Sequence, residues 1–205
     1  MNRDTLYSFA IVDISAGARV TLPDAGDRYL SAMVVNNDHY VNAIFHDAGT
    51  HELTIDQFDT DYVLVAVRTL VDPADEDDIA EVSRLQDQIM LEAGSARPFV
   101  SPDYDKVSFD GTRDGLLQLA KYVTEFDRMF GTREEVDPVR YLLGAAAGWG
   151  GLPTTEAAYV GVEPRVPQGD YELTLNDVPV DAFWSIPVYN ARGYFEANSS
   201  GRYTV

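Results

Sequence analysis

The feature that most constrains this 205-residue chain is a change of hydrophobic period near residue 72. Before that point, residues 6–70 alternate short apolar runs with turn signals, among them Asp24 and Gly26. This spacing is typical of antiparallel sheets and predicts six or seven strands. No strand–helix–strand alternation follows, so the pattern favours a sandwich or barrel over a parallel, doubly wound fold.

Helical spacing replaces the strand pattern between residues 72 and 147. Asp72 and Pro73 predict a helix start as N-cap and first helical residue, and Gly94 predicts the end of that helix. A second helix is predicted over about residues 112–130. The pair Asp137-Pro138 repeats the start signal for a third, short helix.

Apolar and polar residues alternate again from Leu152 onwards, which predicts further strands. The fold class expected is therefore α+β and mainly β. We predict antiparallel, sandwich or jelly-roll-like portions over 1–71 and 148–205, with a three-helix segment over 72–147 between them.

The charge of the chain is strongly unbalanced, since 34 acidic residues face 15 basic ones for a net charge of −19. Such a surface repels phosphate backbones, so we expect no nucleic-acid partner. The acidity serves either solubility or the attraction of cations or a basic partner. With no cysteine, the chain has neither disulfides nor thiol chemistry. It also shows no apolar run long enough to span a membrane and no leader peptide, so we expect no membrane partner and a cytoplasmic location.

Several separated motifs resemble one known pair of domains. The motifs NRDTLYS, VTLPDAGDRYLS and YVLVAVRTLVDP resemble the domain of unknown function 1254. Three later motifs resemble the usual companion of that domain, the domain of unknown function 1214: VDPVRYLLGAAAGWGGLP, YELTLNDVPVDAFWSIPVYNARGYF and NSSGRYTV. The motifs occur in the expected order and cover nearly the whole chain.

The resemblance implies β-sandwich modules with helices between them and a homo-oligomeric protein. It implies no established reaction, although some members carry a loose carboxylesterase label. Members of the family have a sizeable segment before NRDTLYS and further strands after RYTV. On this comparison the chain is expected to be a compact member or a fragment.

Five residues are the candidates for a ligand site: Arg3, Asp4, Tyr7, Trp149 and Tyr189. Arg3 and Asp4 form either a structural clasp at the start of a strand or the wall of a pocket, because a guanidinium fits both a protein carboxylate and a ligand. Trp149, between glycines, is either a core plug or a pocket floor. The two tyrosines are candidate phenol donors in a cavity between the sheets.

His46 and His51 are candidates for a metal site, because a hairpin loop at DAGT would place them opposite each other with Cβ atoms about 5 Å apart. Asp47 or Asp38 would then supply a third ligand. The alternative is that both histidines are solvated residues at the end of a hairpin, and this alternative predicts no metal.

The chain contains no G-x-S-x-G elbow, no Rossmann or P-loop glycine pattern and no H-E-x-x-H motif. We therefore predict no cofactor, and the residues give the carboxylesterase label no α/β-hydrolase support. The expected function is small-molecule binding or hydrolase-like chemistry in a pocket between the sheets. The alternative is a non-catalytic structural or assembly module.

Overall fold

The computed structural model describes residues 2–123, 125–161, 166–167, 169–190, 193–199 and 201–204. The described part is mainly β with helices, the α+β class that the sequence predicts. Its strands are β1 (Thr5–Asp13), β2 (Ala18–Leu22), β3 (Leu30–Asn36), β4 (Val41–Phe45), β5 (Gly49–Leu53), β6 (Tyr62–Leu70) and β7 (Met90–Ala93). Its helices are α1 (Ile55–Phe58), α2 (Glu76–Gln86), α3 (Lys106–Ala120) and α4 (Pro138–Gly148).

The strands form two antiparallel sheets. The first has the order β1-β6-β3-β4, and the second has the order β5-β2-β7. Strands β1 and β6 pair along their whole lengths, from Thr5 opposite Leu70 to Asp13 opposite Tyr62. The chain crosses from the first sheet to the second between β4 and β5, so these two strands are not partners.

One hydrophobic cluster joins the two sheets. Its members come from β1, β2, β3, β5 and β6, from the connection after β1 and from α1: Val12, Ile14, Ala18, Val20, Leu22, Leu30, Ala32, Val34, Leu53, Phe58, Val63, Val65 and Val67. Burial of these branched side chains is the main favourable contribution to folding. The space between the sheets is therefore filled with side chains.

Strand β3 is buried at every one of its 7 positions. Successive side chains of a strand point to opposite faces, so both faces of β3 must be covered. Ala32 and Val34 face the shared cluster, whereas Met33 and Val35 pack in a second cluster with Leu152. The chain after α4 is thereby held on the outer face of the first sheet.

A buried carboxylate at the end of β1 fixes the chain that follows β7. The Asp13 side chain, only 1% exposed, accepts hydrogen bonds from the Ser15 N–H, the Ser95 hydroxyl and the Arg97 guanidinium. The bonds from Arg97, followed by those from the two serines, hold the pKa of Asp13 far below its ordinary value, although burial opposes them. Arg97 also bonds Asp61 at 2.9 Å, which extends the network to the start of β6.

The helix predicted from Asp72 begins three residues later than expected. Asp75 is the N-cap of α2 and accepts from the Asp77 and Asp78 N–H groups, while Asp72 closes a local turn by accepting from the Ala74 N–H. The prediction that the helix continues to Gly94 is also wrong. The helix ends at Gln86 and β7 follows, because residues 90–93 complete the free edge of β2.

The second helix spans Lys106–Ala120 rather than residues 112–130, since Asp105 caps it by accepting from the Ser108 N–H. The third helix is confirmed: Asp137 caps α4 and Pro138 is its first residue. None of the described helices is long and apolar enough to cross a membrane.

Strands predicted from Leu152 onwards are absent from the described residues of that part of the chain. The alternating side chains find no partner strand, and several stay open to solvent, with Leu173 67% and Val188 75% exposed. Alternating apolar and polar residues indicate a segment that can bury one of its faces. The segment becomes a strand only when a neighbouring strand pairs with its backbone through hydrogen bonds.

The shared cluster predicts a large effect of Phe58→Ala. Phe58 is 0% exposed, so its truncation leaves a cavity and should lower the free energy of unfolding by about 3–5 kcal/mol. Urea unfolding followed by circular dichroism measures the change. The control is Phe109→Ala on α3, where the ring is 53% exposed and the loss should stay within about 0.5 kcal/mol. Equal losses for both variants would contradict the assignment of Phe58 to the core.

Candidate functional site

The N-terminal motif meets the C-terminal segment at Asp4. Its carboxylate accepts a hydrogen bond from the Ser185 hydroxyl at 2.7 Å and from the Thr204 hydroxyl at 3.0 Å. These partners lie 181 and 200 residues away in sequence. The carboxylate therefore joins two parts of the C-terminal segment to the start of β1.

Asn2 holds this start in place. Its side-chain oxygen accepts from the Asp4 N–H at 2.7 Å, and its amide nitrogen donates to the Thr5 hydroxyl at 3.0 Å and the Tyr7 hydroxyl at 3.1 Å. An Asn that bonds the backbone two residues on forms a local turn. The polar residues before β1 thus have identified protein partners.

Arg3 does not pair with Asp4. Its guanidinium lies over the ring of Tyr203, with 4.3 Å between the guanidinium carbon and the ring centroid. Such a stack leaves the N–H donors of the guanidinium at the edge of the ring, available to other acceptors. The clasp therefore has a different composition from the one considered for the sequence, since hydroxyls rather than a guanidinium satisfy Asp4.

Tyr7 faces a second arginine across the sheet. Its partner in register on β6 is Arg68, whose guanidinium lies 5.5 Å from the Tyr7 ring centroid. Arg68 also donates to the Gly150 carbonyl at 3.4 Å, while its buried Nε has no hydrogen-bond partner among the described residues. Arg68 therefore lies between Tyr7 and the segment after α4.

A cavity of about 350 Å³ lies in the C-terminal segment beside the Asp4 clasp. It is lined by Ile186, Val188, Tyr189, Asn190, Glu196, Asn198, Arg202, Tyr203 and Thr204. We refer to it as the C-terminal cavity. The Tyr189 and Phe195 rings lie 4.8 Å apart, and Phe195 in turn contacts the Tyr203 ring at 5.3 Å. These aromatic contacts form one wall.

Tyr189 has an altered acidity in this cavity. Burial raises the pKa of the Tyr189 phenol, and the nearby Asp4, Tyr159 and Tyr7 raise it further. The phenol is therefore neutral at physiological pH and can donate a hydrogen bond. The influence of these groups shows that Tyr189 lies near Asp4 and Tyr7.

The structure thus brings four of the predicted residues to one region: Arg3, Asp4, Tyr7 and Tyr189. The space between the sheets, where the sequence predicts a pocket, holds the apolar side chains of the shared cluster. The cavity lies instead where the C-terminal segment passes the start of β1.

Trp149, the fifth candidate, packs on a histidine. Its ring stacks on His39 with centroids 4.7 Å apart and planes inclined by 13°, and it is 57% exposed. With that exposure, Trp149 is not a core plug, and it does not line the C-terminal cavity. Phe130 and Tyr141 contact the other sides of the His39 ring. These aromatic residues form a box around a histidine that the sequence did not single out.

His39 is buried in this box, with 7% of the residue exposed. The Gly150 N–H donates to its Nε2 at 2.9 Å, so the neutral ring carries its proton on Nδ1. That Nδ1 has no partner within the described part of the chain. Burial lowers the pKa of His39 to about 4, because a charged imidazolium would lose hydration there.

The predicted opposition of His46 and His51 is wrong, because β4 and β5 belong to different sheets. His46 contacts Glu156 through Nε2 at 2.8 Å. His51 stacks on Phe45 at 4.1 Å, and its Nε2 lies 2.9 Å from the Asp47 carbonyl. A search of the described residues finds no group of three or more His, Asp or Glu side chains that could hold a metal.

Sequence reasoning missed several residues of the site: Ser185, Arg202, Tyr203 and Thr204. A signal for them was present, because all four lie within motifs that carry the family resemblance, FWSIPVY and NSSGRYTV. Their approach to Asp4 joins chain ends about 200 residues apart, and spacing along a sequence carries no information on that approach.

A second cavity, of about 590 Å³, lies between the chain before α4 and the chain after it. Its lining includes Glu125, Asp127 and Tyr159. Both carboxylates are paired with Arg140. None of the five candidate residues lines this cavity.

Comparison with known proteins gives a fold relative only. No model of a known protein family matches the chain, and no curated protein matches it, so the resemblance to the domains of unknown function 1254 and 1214 stays a prediction. The chain is similar to the crystal structure of the VPA0106 protein from Vibrio parahaemolyticus, with a TM-score of 0.61 and 16% identity. The match covers 76% of this chain and 59% of that protein. At this identity the likeness concerns the fold alone.

The His39 box predicts a loss of stability in acid. A histidine whose pKa is lowered from 6.5 to about 4 in the folded state contributes stability that is complete above pH 6.5 and is lost as the pH falls through 4. The variant His39→Asn removes this titration, and Asn tolerates the left-handed backbone at this position, where φ is 68°. We expect the urea midpoint of the variant to fall less steeply between pH 7 and pH 4 than that of the unsubstituted protein.

The matched control for this titration is His46→Asn, which replaces an exposed imidazole beside Glu156. Because this variant retains the buried His39, its urea midpoint should still fall steeply between pH 7 and pH 4. Identical pH profiles for His39→Asn and the unsubstituted protein would show that His39 is not the group that couples acid to unfolding.

Proposed function

We propose that this protein binds a small molecule in the C-terminal cavity. The observation that carries the proposal is the convergence of polar and aromatic side chains on a cavity of about 350 Å³ beside Asp4. Small-molecule sites are concave, have volumes of roughly 300–1,000 Å³, and combine apolar walls with a few placed polar groups. Ile186, Val188 and the rings of Tyr189 and Tyr203 supply the walls, and Arg202 supplies a polar group.

Binding is favoured over hydrolysis by the hydrogen bonds at the clasp. A serine nucleophile needs a general base within hydrogen-bond reach, most often a histidine. Among the described residues no histidine lines the cavity. The Ser185 hydroxyl donates to Asp4, which also accepts from Thr204, and this arrangement is typical of a structural link. The clasp then shapes the cavity by fixing residues 185 and 204.

The cavity predicts a site-specific loss of ligand binding in Val188→Trp. Val188 lines the cavity and is 75% exposed, so an indole there fills the space without disturbing the core. A library of small neutral and charged fragments is screened by ligand-observed NMR. We expect hits with the unsubstituted protein and at least a tenfold rise in their Kd in Val188→Trp.

The matched control is Val160→Trp, which introduces the same ring at the 590 Å³ cavity, where Val160 is 87% exposed. It should leave the affinities unchanged. A library without hits, or hits that Val160→Trp removes and Val188→Trp does not, would overturn the proposal.

A specific observation favours a second candidate function, a module that assembles with a copy of itself. Strand β1 lies at the edge of its sheet, and Phe9 and Ile11 on it are 63% and 56% exposed. Residues 5–12 carry no charged side chain, in a chain with a net charge of −19. Edge strands of monomers are usually protected by charge or proline, so an uncharged edge suits pairing with a second β1 across a two-fold axis.

The assembly candidate predicts that Phe9→Lys yields a monomer. Two lysines brought together at the two-fold axis would repel each other and would interrupt the apolar contact. Size-exclusion chromatography with light scattering measures the mass, with Leu119→Lys on α3, 62% exposed, as the control that should stay dimeric. A monomeric unsubstituted protein, or a dimer that survives Phe9→Lys, would argue against this assembly.

A further inference from the structure

We propose that the ligand of the C-terminal cavity is a small organic anion, recognised by Arg202 with Arg3 beside it. This inference rests on the proposed function and names the ligand class of the same cavity. The starting observation is the distribution of ion pairs over the chain. Among the described residues, seven Lys and Arg side chains pair with a carboxylate within 4.0 Å: Arg19, Arg28, Arg84, Arg97, Lys106, Arg133 and Arg140.

Arg202 and Arg3 are two of the described basic side chains that lie outside these pairs. Within the described part of the chain, neither guanidinium has a carboxylate within that distance. Arg202 lines the cavity, and Arg3 lies over the ring of Tyr203, the next residue along the chain. Arg202 therefore brings an unpaired guanidinium to a cavity whose lining also includes the carboxylate of Glu196.

The carboxylates near the cavity, Asp4 and Glu196, keep their negative charge, but among the described residues each is held by hydrogen bonds from neutral donors rather than by a guanidinium. Asp4 accepts from the two hydroxyls of the clasp, and Glu196 accepts from the Asn190 side-chain amide at 2.6 Å. The guanidinium N–H groups of Arg202 and Arg3 are donors to which the described residues offer no carboxylate. A guanidinium presents its N–H groups as a planar fork that matches the two oxygens of a carboxylate or phosphate.

The overall charge of −19 does not prevent anion binding at this position. Free ions screen charges beyond about 8 Å at physiological ionic strength, so the nearest groups decide the local potential. The Tyr189 ring adds an aromatic surface to the same cavity. The apolar lining, Ile186 and Val188, suits the carbon skeleton of an organic anion better than a bare inorganic ion.

The test is a titration with small carboxylates and matched neutral compounds. Succinate, benzoate, their amides and inorganic phosphate are titrated against the full chain and followed by NMR. We expect at least one carboxylate to bind at least tenfold more tightly than its amide. Arg202→Gln should weaken that binding at least tenfold, and Arg3→Gln should weaken it less. Phosphate that binds as tightly as the carboxylates would identify inorganic phosphate as the source of the anion.

The control is Arg113→Gln on α3, which removes an equal charge at an exposed arginine that likewise has no carboxylate partner among the described residues. It should leave the affinities unchanged. Circular dichroism verifies that each variant is folded. Carboxylates that bind no better than their amides, or binding that Arg202→Gln leaves intact, would overturn the anion inference.

The two proposals fail differently. Neutral fragments that bind in the cavity and are lost in Val188→Trp would keep the binding function while the anion inference fails. An absence of binding by every fragment and every anion would overturn both.

Discussion

The complete burial of β3 is the constraint on which the rest of the structure depends. A strand covered on one face needs one partner layer, but β3 is buried on both. The second sheet covers one face through the shared cluster, and the chain after α4 covers the other through Leu152 and Ala157. Because exposing either face would return branched apolar side chains to water, the segment after α4 is held on the sheet although it forms no strand there. The path of the C-terminal segment, and with it the cavity, begins from that contact.

The hydrogen bonds from Ser185 and Thr204 to Asp4 hold the C-terminal segment at a second place, through polar groups. A carboxylate at the start of β1 draws the hydroxyls of Ser185 and Thr204 to the sheet, and Asn2 fixes the turn that aims it. Apolar burial brings the segment near, whereas the directional hydrogen bonds determine which residues meet. The cavity that forms beside the clasp is small and is lined by both polar and apolar side chains.

The site was predictable in part. The sequence names Asp4, Tyr7 and Tyr189 as candidates for one site, and the structure brings these three residues to one region. The histidines show why the rest was not predictable. His46 and His51 flank a short turn, which suggested a hairpin, but the turn passes between sheets, so the two imidazoles acquire unrelated partners. The glycine-rich setting of Trp149 leaves a core plug and a pocket floor open, because its position depends on a stack with His39, a residue 110 positions earlier in the chain.

The sequence by itself determined the elements whose signals are local. Turn residues and apolar runs specified β1 to β6, and Asp137-Pro138 specified the start of α4, because these signals act within a few residues. The tertiary structure alone decided β7, which is a strand only because β2 offers an open edge. It also decided the absence of strands among the described residues after Leu152, where alternation found no partner, and the meeting of Asp4 with Ser185 and Thr204. Hydrogen bonds between distant segments depend on the closure of the whole chain, and no local pattern encodes that closure.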